Sequence, residues 1–267
     1  FKQKTAYEIG VRLVGSEMCI RDRFVYGWIA IGFLSFPFIL RYNAPYGRHT
    51  SDSWGPLVDN KVAWIIMELP ALIVCPFLVF TSENAVTGMT KVFILIWVMH
   101  YFNRSIVFPM RIKTKKKKMP LLIAVLAFLF NVVNGLVNGI YFGSVRFDYP
   151  EAWASSPQFI VGISLFFIGF YINNKSDSHL ISLRKGKQKG YVIPREGLFN
   201  YVSCPNFFGE LLEWLGFAIM TWSVAGLAFF LWTFFNLVPR ALSHHRWYKS
   251  TFPDYPKDRK AVFPFIL

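Results

Sequence analysis

Acidic side chains are scarce in this sequence: 15 Asp and Glu among 267 residues, against 29 Lys and Arg. Charged residues together reach only 16%, short of the roughly 25% of an average soluble chain. Hydrophobic residues make up 54% and aromatics 19%. A soluble fold needs a polar shell around its core, and this composition does not supply one. Cysteine is rare too. Cys19, Cys75 and Cys204 share no metal-ligand or redox spacing, so no metal site is expected. Cys75 reads as a small core residue. The chain has no G-x-G-x-x-G behind a strand, no Walker loop, no H-E-x-x-H and no G-x-S-x-G. Those gaps argue against the soluble nucleotide folds and against zinc-protease and serine-hydrolase chemistry.

Long apolar runs, by contrast, are plentiful. A membrane-spanning helix needs about 20 mainly apolar residues. Candidates are Phe24–Leu40, Val62–Phe80, Thr87–Met110, Leu121–Phe142, Gln158–Ile172, Phe207–Trp222 and Val224–Val238. Only Thr221-Trp222-Ser223 divides the last two, and Gln158–Ile172 is short unless it extends into the polar segment behind it. The expected fold class is all-α: a polytopic membrane protein with about seven transmembrane helices enclosing a cavity.

Net charge +14 raises the question of nucleic acid, and the distribution answers it. Lys and Arg cluster in the first loop (Arg41–Lys61), the third (Arg111–Lys118), the fifth (Lys175–Arg195) and the tail from Arg240, whereas the second and sixth loops have none and the fourth only Arg146. This is the positive-inside pattern. It predicts an integral multi-pass membrane protein with odd loops and C-terminus cytoplasmic, in a bacterial inner membrane or an endoplasmic-reticulum-type membrane. Membrane lipids are expected partners, with Lys113–Lys118 suited to anionic headgroups, and nucleic acid is not. Residues 1–23 break the pattern, holding five Lys and Arg on the outer side with no apolar stretch long enough for a signal peptide. Val14–Arg23 looks like translated sequencing-adapter sequence. Residues 1–23 are therefore read as an artefactual or disordered tail, and 24–267 as a single seven-helix domain.

Polar residues inside the apolar runs fall into stripes. Asn173, Asp177 and Arg184 are four and seven residues apart and share a face on a continuing helix. Asn206, Glu210 and Glu213 repeat the arrangement on the next one. Two such stripes on consecutive apolar helices suggest one polar chamber, although helix caps and headgroup-level residues would also explain Asn173 and Asp177. Glu68 is the single charge of its span. A lone carboxylate in hydrocarbon costs several kcal/mol unless it is paired, protonated or faces a cavity, so it either bonds across helices beside Pro70 or faces a site. Tyr101, three residues before Arg104, is either an interfacial anchor or a buried phenol. Asn131, Asn134 and Asn138 form an amide stripe of the kind that glues helices. Tyr46 belongs to a cluster, Tyr46 to Thr50, that is either surface polarity or a flap over a ligand. His244 and His245 lack metal spacing and are read as surface residues. A basic mouth of Arg184, Lys185, Arg195, Arg246 and Arg259 suits a phosphorylated cofactor, and a deeper zone with Glu68, Tyr101 and aromatic walls suits a hydrophobic substrate with one polar group.

At these residues the chain resembles the steroid 5α-reductase family. Asn173-x-x-x-Asp177 and Leu183-Arg184-Lys185 match its C-terminal half, as does the run from Tyr191 to Ser203, Y-x-I-P-x-x-G-L-F-x-Y-V-S. N-F-x-G-E-x-x-E-W (Asn206 to Trp214), H-H-R-x-Y (His244 to Tyr248) and D-Y-P-K-x-R-K-A-x-x-P-F (Asp254 to Phe265) continue the match. In the N-terminal half the matches are thinner: Y-G-x-H-T from Tyr46, A-W-x-x-x-E-L-P from Ala63 and H-Y-F-x-R from His100. A bacterial homologue is expected.

The resemblance implies an enzyme: an NADPH-dependent oxidoreductase acting on CH–CH groups, reducing the double bond of a Δ4-3-ketosteroid to the 5α-reduced product. It implies substrate-side helices over 24–143 and a cofactor-binding half over 156–267. Asn173, Asp177, Arg184, Tyr191, Asn206, Glu210, Tyr248 and Arg259 would bind NADPH. Glu68 and Tyr101 would be catalytic, polarising the ketone, and Met67 and Tyr46 would touch substrate, in a monomer. Met67 stands where the family commonly has Gln, and Val192 where relatives often have Arg. Met67 keeps open an enone or enoyl reductase acting on another lipid, such as an enoyl thioester or polyprenyl substrate. A membrane methyltransferase using S-adenosylmethionine and a non-enzymatic lipid binder are the further alternatives.

Overall fold

The computed structural model describes residues 6–42, 47, 50, 54–82, 86, 88–112, 117–144, 149–184 and 190–267, with side chains for all but 6–20 and 144. The helices are α1 (Ala6–Arg41), α2 (Asn60–Phe80), α3 (Gly88–Phe102), α4 (Phe108–Arg111), α5 (Leu121–Ser144), α6 (Pro157–Leu183), α7 (Pro205–Thr221) and α8 (Val224–Thr251). A π-helical turn over Asn103–Val107 joins α3 to α4 in one rod. Six helices among the described residues are long and apolar enough to cross a membrane: all but the 17-residue α7, with α3 and α4 counted as one. The protein is an all-α polytopic membrane protein. Its first helix reaches back to Ala6, so most of the stretch expected as a tail is helical.

Capping chemistry sets the boundaries. The Asp59 carboxylate accepts from the Lys61 and Val62 amides at 2.9 and 3.2 Å and starts α2. Ser156 caps α6 ahead of Pro157, and Ser223 caps α8 by accepting from the Gly226 amide at 3.0 Å. Trp222, left-handed at φ 45°, stops α7, so the short Thr221–Ser223 divider is a real break. Helix α8 then runs well past Val238, through Pro239, into the stretch expected as a tail.

Two glycine seams hold the bundle in pairs. Gly162 and Gly169 of α6 face Gly216 and Gly209 of α7, seven residues apart on each helix, and a Cβ on any of them would strike main-chain atoms of the other helix. At Gly209 such a Cβ would lie 2.5 Å from the Asn173 amide nitrogen. Backbones can approach this closely only where side chains are missing. The contact sets the polar stripe of α6 directly against that of α7. Gly135, Gly139 and Gly143 of α5 similarly accept Val74, Leu78 and the backbone of α2. Gly169→Ala is expected to lower stability by roughly 1–3 kcal/mol, because the obstructing atoms are backbone rather than movable side chain. Thermal unfolding in detergent checks this against Gly27→Ala, whose Cβ meets nothing within 4 Å.

At the polar end, β1 (Leu57–Asp59) pairs antiparallel with β2 (Lys118–Pro120) and ties the first loop to the third. The C-terminal segment folds back under α7: the Ser203 and Cys204 amides donate to the Lys260 and Ala261 carbonyls at 2.8 and 3.0 Å. Tyr255 stacks on Tyr248 and shares a 2.6 Å hydrogen bond with Ser203 Oγ. Burial pushes the Tyr255 phenol up, against the opposing pull of that bond and of Arg259.

Candidate active site

Asn60, Trp64 and Glu68 follow one another at four-residue steps on α2, so they share a face. Tyr101 and Arg104 are likewise one turn apart on the α3 rod. The Arg104 guanidinium lies 4.8 Å from the centre of the Trp64 ring and 4.7 Å from that of Phe108. With Trp64 and Arg104 in contact, Glu68 and Tyr101 each lie one turn further from the basic loops. Asn131 and Asn134, neighbours on α5, each bond one of the two.

This deep layer is apolar except for a few directed groups. Tyr101 is 2% exposed, boxed by Trp97, Trp214 and Phe229. Its hydroxyl accepts from Asn134 Nδ2 at 2.9 Å. Asn131 Nδ2 donates to the Met67 carbonyl at 2.7 Å and to Glu68 Oε2 at 3.3 Å. Beside them His100 Nδ1 meets Glu213 Oε1 at 2.6 Å, with Glu213 wholly buried.

Arg104 joins this layer to the stripes of α6 and α7. Its NH1 donates to Asp177 Oδ2 at 3.2 Å, and its NH2 lies 3.6 Å from Glu210 Oε2. Asn206 Nδ2 donates to the other Asp177 oxygen at 3.1 Å, while Asn173 Nδ2 donates to the Asn206 carbonyl at 3.0 Å and to Glu210 Oε2 at 3.3 Å. Buried carboxylates need this pairing, because charge in a low-dielectric interior is tolerated only when compensated.

Toward the basic loops the cluster opens into a cavity of about 190 Å³. Asp177, Arg184, Tyr191, Asn206 and Tyr248 all line it, as five of the eight expected cofactor ligands. Asn173 and Glu210 stand behind Asn206 and Arg104. Arg259, 3% exposed, donates to the Pro194 carbonyl at 3.1 Å from behind the wall, and its Nε has no hydrogen-bond partner among the described residues. Lys117 donates to the Tyr191 hydroxyl at 3.2 Å. Arg240, His244 and Tyr248, at four-residue steps on the extended α8, complete one side.

Several expectations need correction. His244 is no surface residue: it is 8% exposed, stacks on Phe207 and lines the cavity. His245 is held by Ser203 Oγ at 2.6 Å, because α8 continues as a helix and packs against the C-terminal fold-back. Of the expected basic mouth, Arg246 is exposed and Arg195 pairs with Asp254 at the surface, so neither lines the cavity. Met67 turns its side chain into an apolar cluster with Ala63, Met119 and Ile123. Tyr46 and Lys185 lie outside the described residues. Sequence reasoning gave Arg104, Trp64 and Arg240 no role, and placed Lys117 only in the run suited to lipid headgroups. The Arg240-His244-Tyr248 spacing was a signal for one of them; Trp64 and Arg104 meet only through tertiary contact.

Comparison with known proteins places this geometry in context. The family profile for 3-oxo-5-alpha-steroid 4-dehydrogenase matches residues 117–267. A steroid 5-alpha-reductase of Arabidopsis thaliana is 43% identical over 229 residues, covering 84% of this chain and 87% of that protein. A steroid 5-alpha-reductase of Gossypium hirsutum is 40% identical over 243 residues, covering 90% and 91%. The 3-oxo-5-alpha-steroid 4-dehydrogenase 1 of Rattus norvegicus is 40% identical over 253 residues, covering 94% and 97%. These plant and rodent relatives lend no support to the expected bacterial origin.

Proposed function

The chain belongs to the 3-oxo-5-alpha-steroid 4-dehydrogenase family, and from that premise we propose that it uses NADPH to reduce the Δ4 double bond of a 3-ketosteroid to the 5α product. As a member it is a membrane oxidoreductase acting on CH–CH groups, with a steroid as the family's substrate class. The observation that carries the finer reading is the continuity of the two zones. A cation-rich cavity and the buried, largely apolar layer of Tyr101 and Glu68 meet at one residue, Arg104.

The residues present fit the cofactor. Among the described residues four cationic side chains, Arg104, Lys117, Arg184 and Arg240, line the cavity against a single carboxylate, Asp177. The spare Nε of Arg259 adds a buried donor behind the wall. Such a lining favours an anionic, phosphate-bearing ligand. Arg184, Tyr191, Tyr248 and Arg259 would hold the phosphate-bearing portion, and Asn173, Asp177, Asn206 and Glu210 the hydrogen-bonding groups nearer Tyr101. Bound there, NADPH supplies a hydride.

The chain's own contribution is electrostatic. Hydride addition to the β-carbon of an enone drives negative charge onto the carbonyl oxygen. Tyr101 donates its hydroxyl proton in a hydrogen bond to that oxygen, and Glu68, steadied by Asn131, supports it from α2. The aromatic box around Tyr101 excludes water, which would otherwise compete for the same oxygen.

Purified protein with NADPH and a Δ4-3-ketosteroid is expected to give the 5α product with matching loss of nicotinamide absorbance; no product and no absorbance change would refute the reading. Asn206→Ala is expected to weaken NADPH binding by roughly 1–3 kcal/mol, because it leaves Asp177 short of a donor, and to do so before turnover suffers. Fluorescence titration of NADPH checks this. A second reading, an enone or enoyl reductase acting on another lipid, draws on Met67, which stands where the family commonly has Gln and turns its side chain into an apolar cluster, offering no amide to a ketone. A lipid panel separates the two.

A further inference from the structure

We infer that Asn134, with Asn138 behind it, is a positioning residue that aims the hydroxyl proton of Tyr101 at the substrate carbonyl; this rests on reading Tyr101 as the donor to that oxygen. Asn131 does act as interhelical glue, since it binds the main chain of α2. Asn134 is different. Its amide nitrogen spends its hydrogen bond on the Tyr101 hydroxyl, at 2.9 Å, with both groups buried.

A phenol has one proton to give and lone pairs with which to accept. With Asn134 donating to it, the Tyr101 oxygen is engaged as an acceptor, and its proton has no protein acceptor among the described residues. An amide turned the other way would present its oxygen, capture that proton and withdraw it from a ligand. Asn138 blocks the turn. Its Nδ2 lies 3.1 Å from Asn134 Oδ1 and 3.1 Å from the Asn134 carbonyl, one turn away on α5, which pins the oxygen side of the Asn134 amide.

The arrangement carries a penalty that adhesion alone does not explain. Asn138 is fully buried, and its Oδ1 has no hydrogen-bond partner among the described residues. An unpaired buried acceptor is destabilising. A relay of fixed polarity, Asn138 to Asn134 to Tyr101, gives a reason for it: every donor points toward the phenol, and the end of the chain is left unmatched.

The test is a double-mutant cycle. Asn134→Asp keeps the shape but replaces the donating nitrogen with an acceptor. It is expected to lower kcat by about 10²-fold, with the KM for the steroid and NADPH affinity close to wild type. Tyr101→Phe/Asn134→Asp is expected to be no slower than Tyr101→Phe alone, since no hydroxyl is left to aim. A purely structural role predicts losses that multiply, and that result overturns the inference. So does an Asn134→Asp enzyme with wild-type kcat beside a slow Tyr101→Phe. If Tyr101→Phe is itself as fast as wild type, the reading of Tyr101 as donor fails, and the inference falls with it. Should Asn134→Asp not fold, Asn138→Leu loosens the clamp without adding charge. It is expected to lower kcat about tenfold at unchanged KM, and an unchanged kcat there overturns the inference equally.

Discussion

Tyr101→Phe is expected to reduce kcat by about 10²–10³-fold, the usual effect of removing one donor to a developing oxyanion. The ring stays, so the packing against Trp97, Trp214 and Phe229 survives and the fold should be nearly unchanged. What goes is the donor, together with the acceptor for Asn134. NADPH affinity is expected to hold, because the cavity walls are contributed by α2, Arg104, α6, α7, α8 and the loops rather than by this phenol. Steady-state kinetics and an NADPH titration on the same preparation separate the two quantities. A variant with normal kcat and weakened NADPH binding would reverse the roles assigned to the two zones.

Replacing Arg104 should do more damage to the protein as a whole. Arg104→Ala leaves Asp177 and Glu210 buried without their cation and removes the group stacked on Trp64 and Phe108. Breaking a buried ion pair from one side costs about 3–5 kcal/mol. Both the thermal midpoint and NADPH affinity are therefore expected to drop, and turnover with them. Arg104→Lys keeps a charge but not the planar fork that reaches two carboxylates at once, so it should recover only part of the loss. Unfolding curves with and without NADPH measure both effects. An Arg104→Ala protein with wild-type midpoint and affinity would show that α3 does not couple the zones.

Much of this protein was legible from periodicity. The apolar runs located the helices, and the short divider at Thr221–Ser223 marked the α7–α8 break that Trp222 makes. The four-residue steps of Asn173–Asp177 and Asn206–Glu210 placed those residues on shared faces, and they do bond to one another. Boundaries at polar ends were harder. Helix α8 runs on to Thr251 because the C-terminal fold-back gives its polar turns something to pack against, which no local pattern reveals.

The sequence by itself determined the spans, the faces of the helices and the family motifs, because each depends on residues within a few turns of one another. Partner choice is a long-range matter and fell to the tertiary structure. It matched His100 with Glu213, set Arg104 between Trp64 and two carboxylates, and gave Tyr101 its amide from α5. The glycine seams fixed the α6–α7 and α2–α5 pairs, since missing side chains let two helices touch backbone to backbone, and so set the polar stripe of α6 against that of α7, while the α3 rod meets these pairs through its side chains.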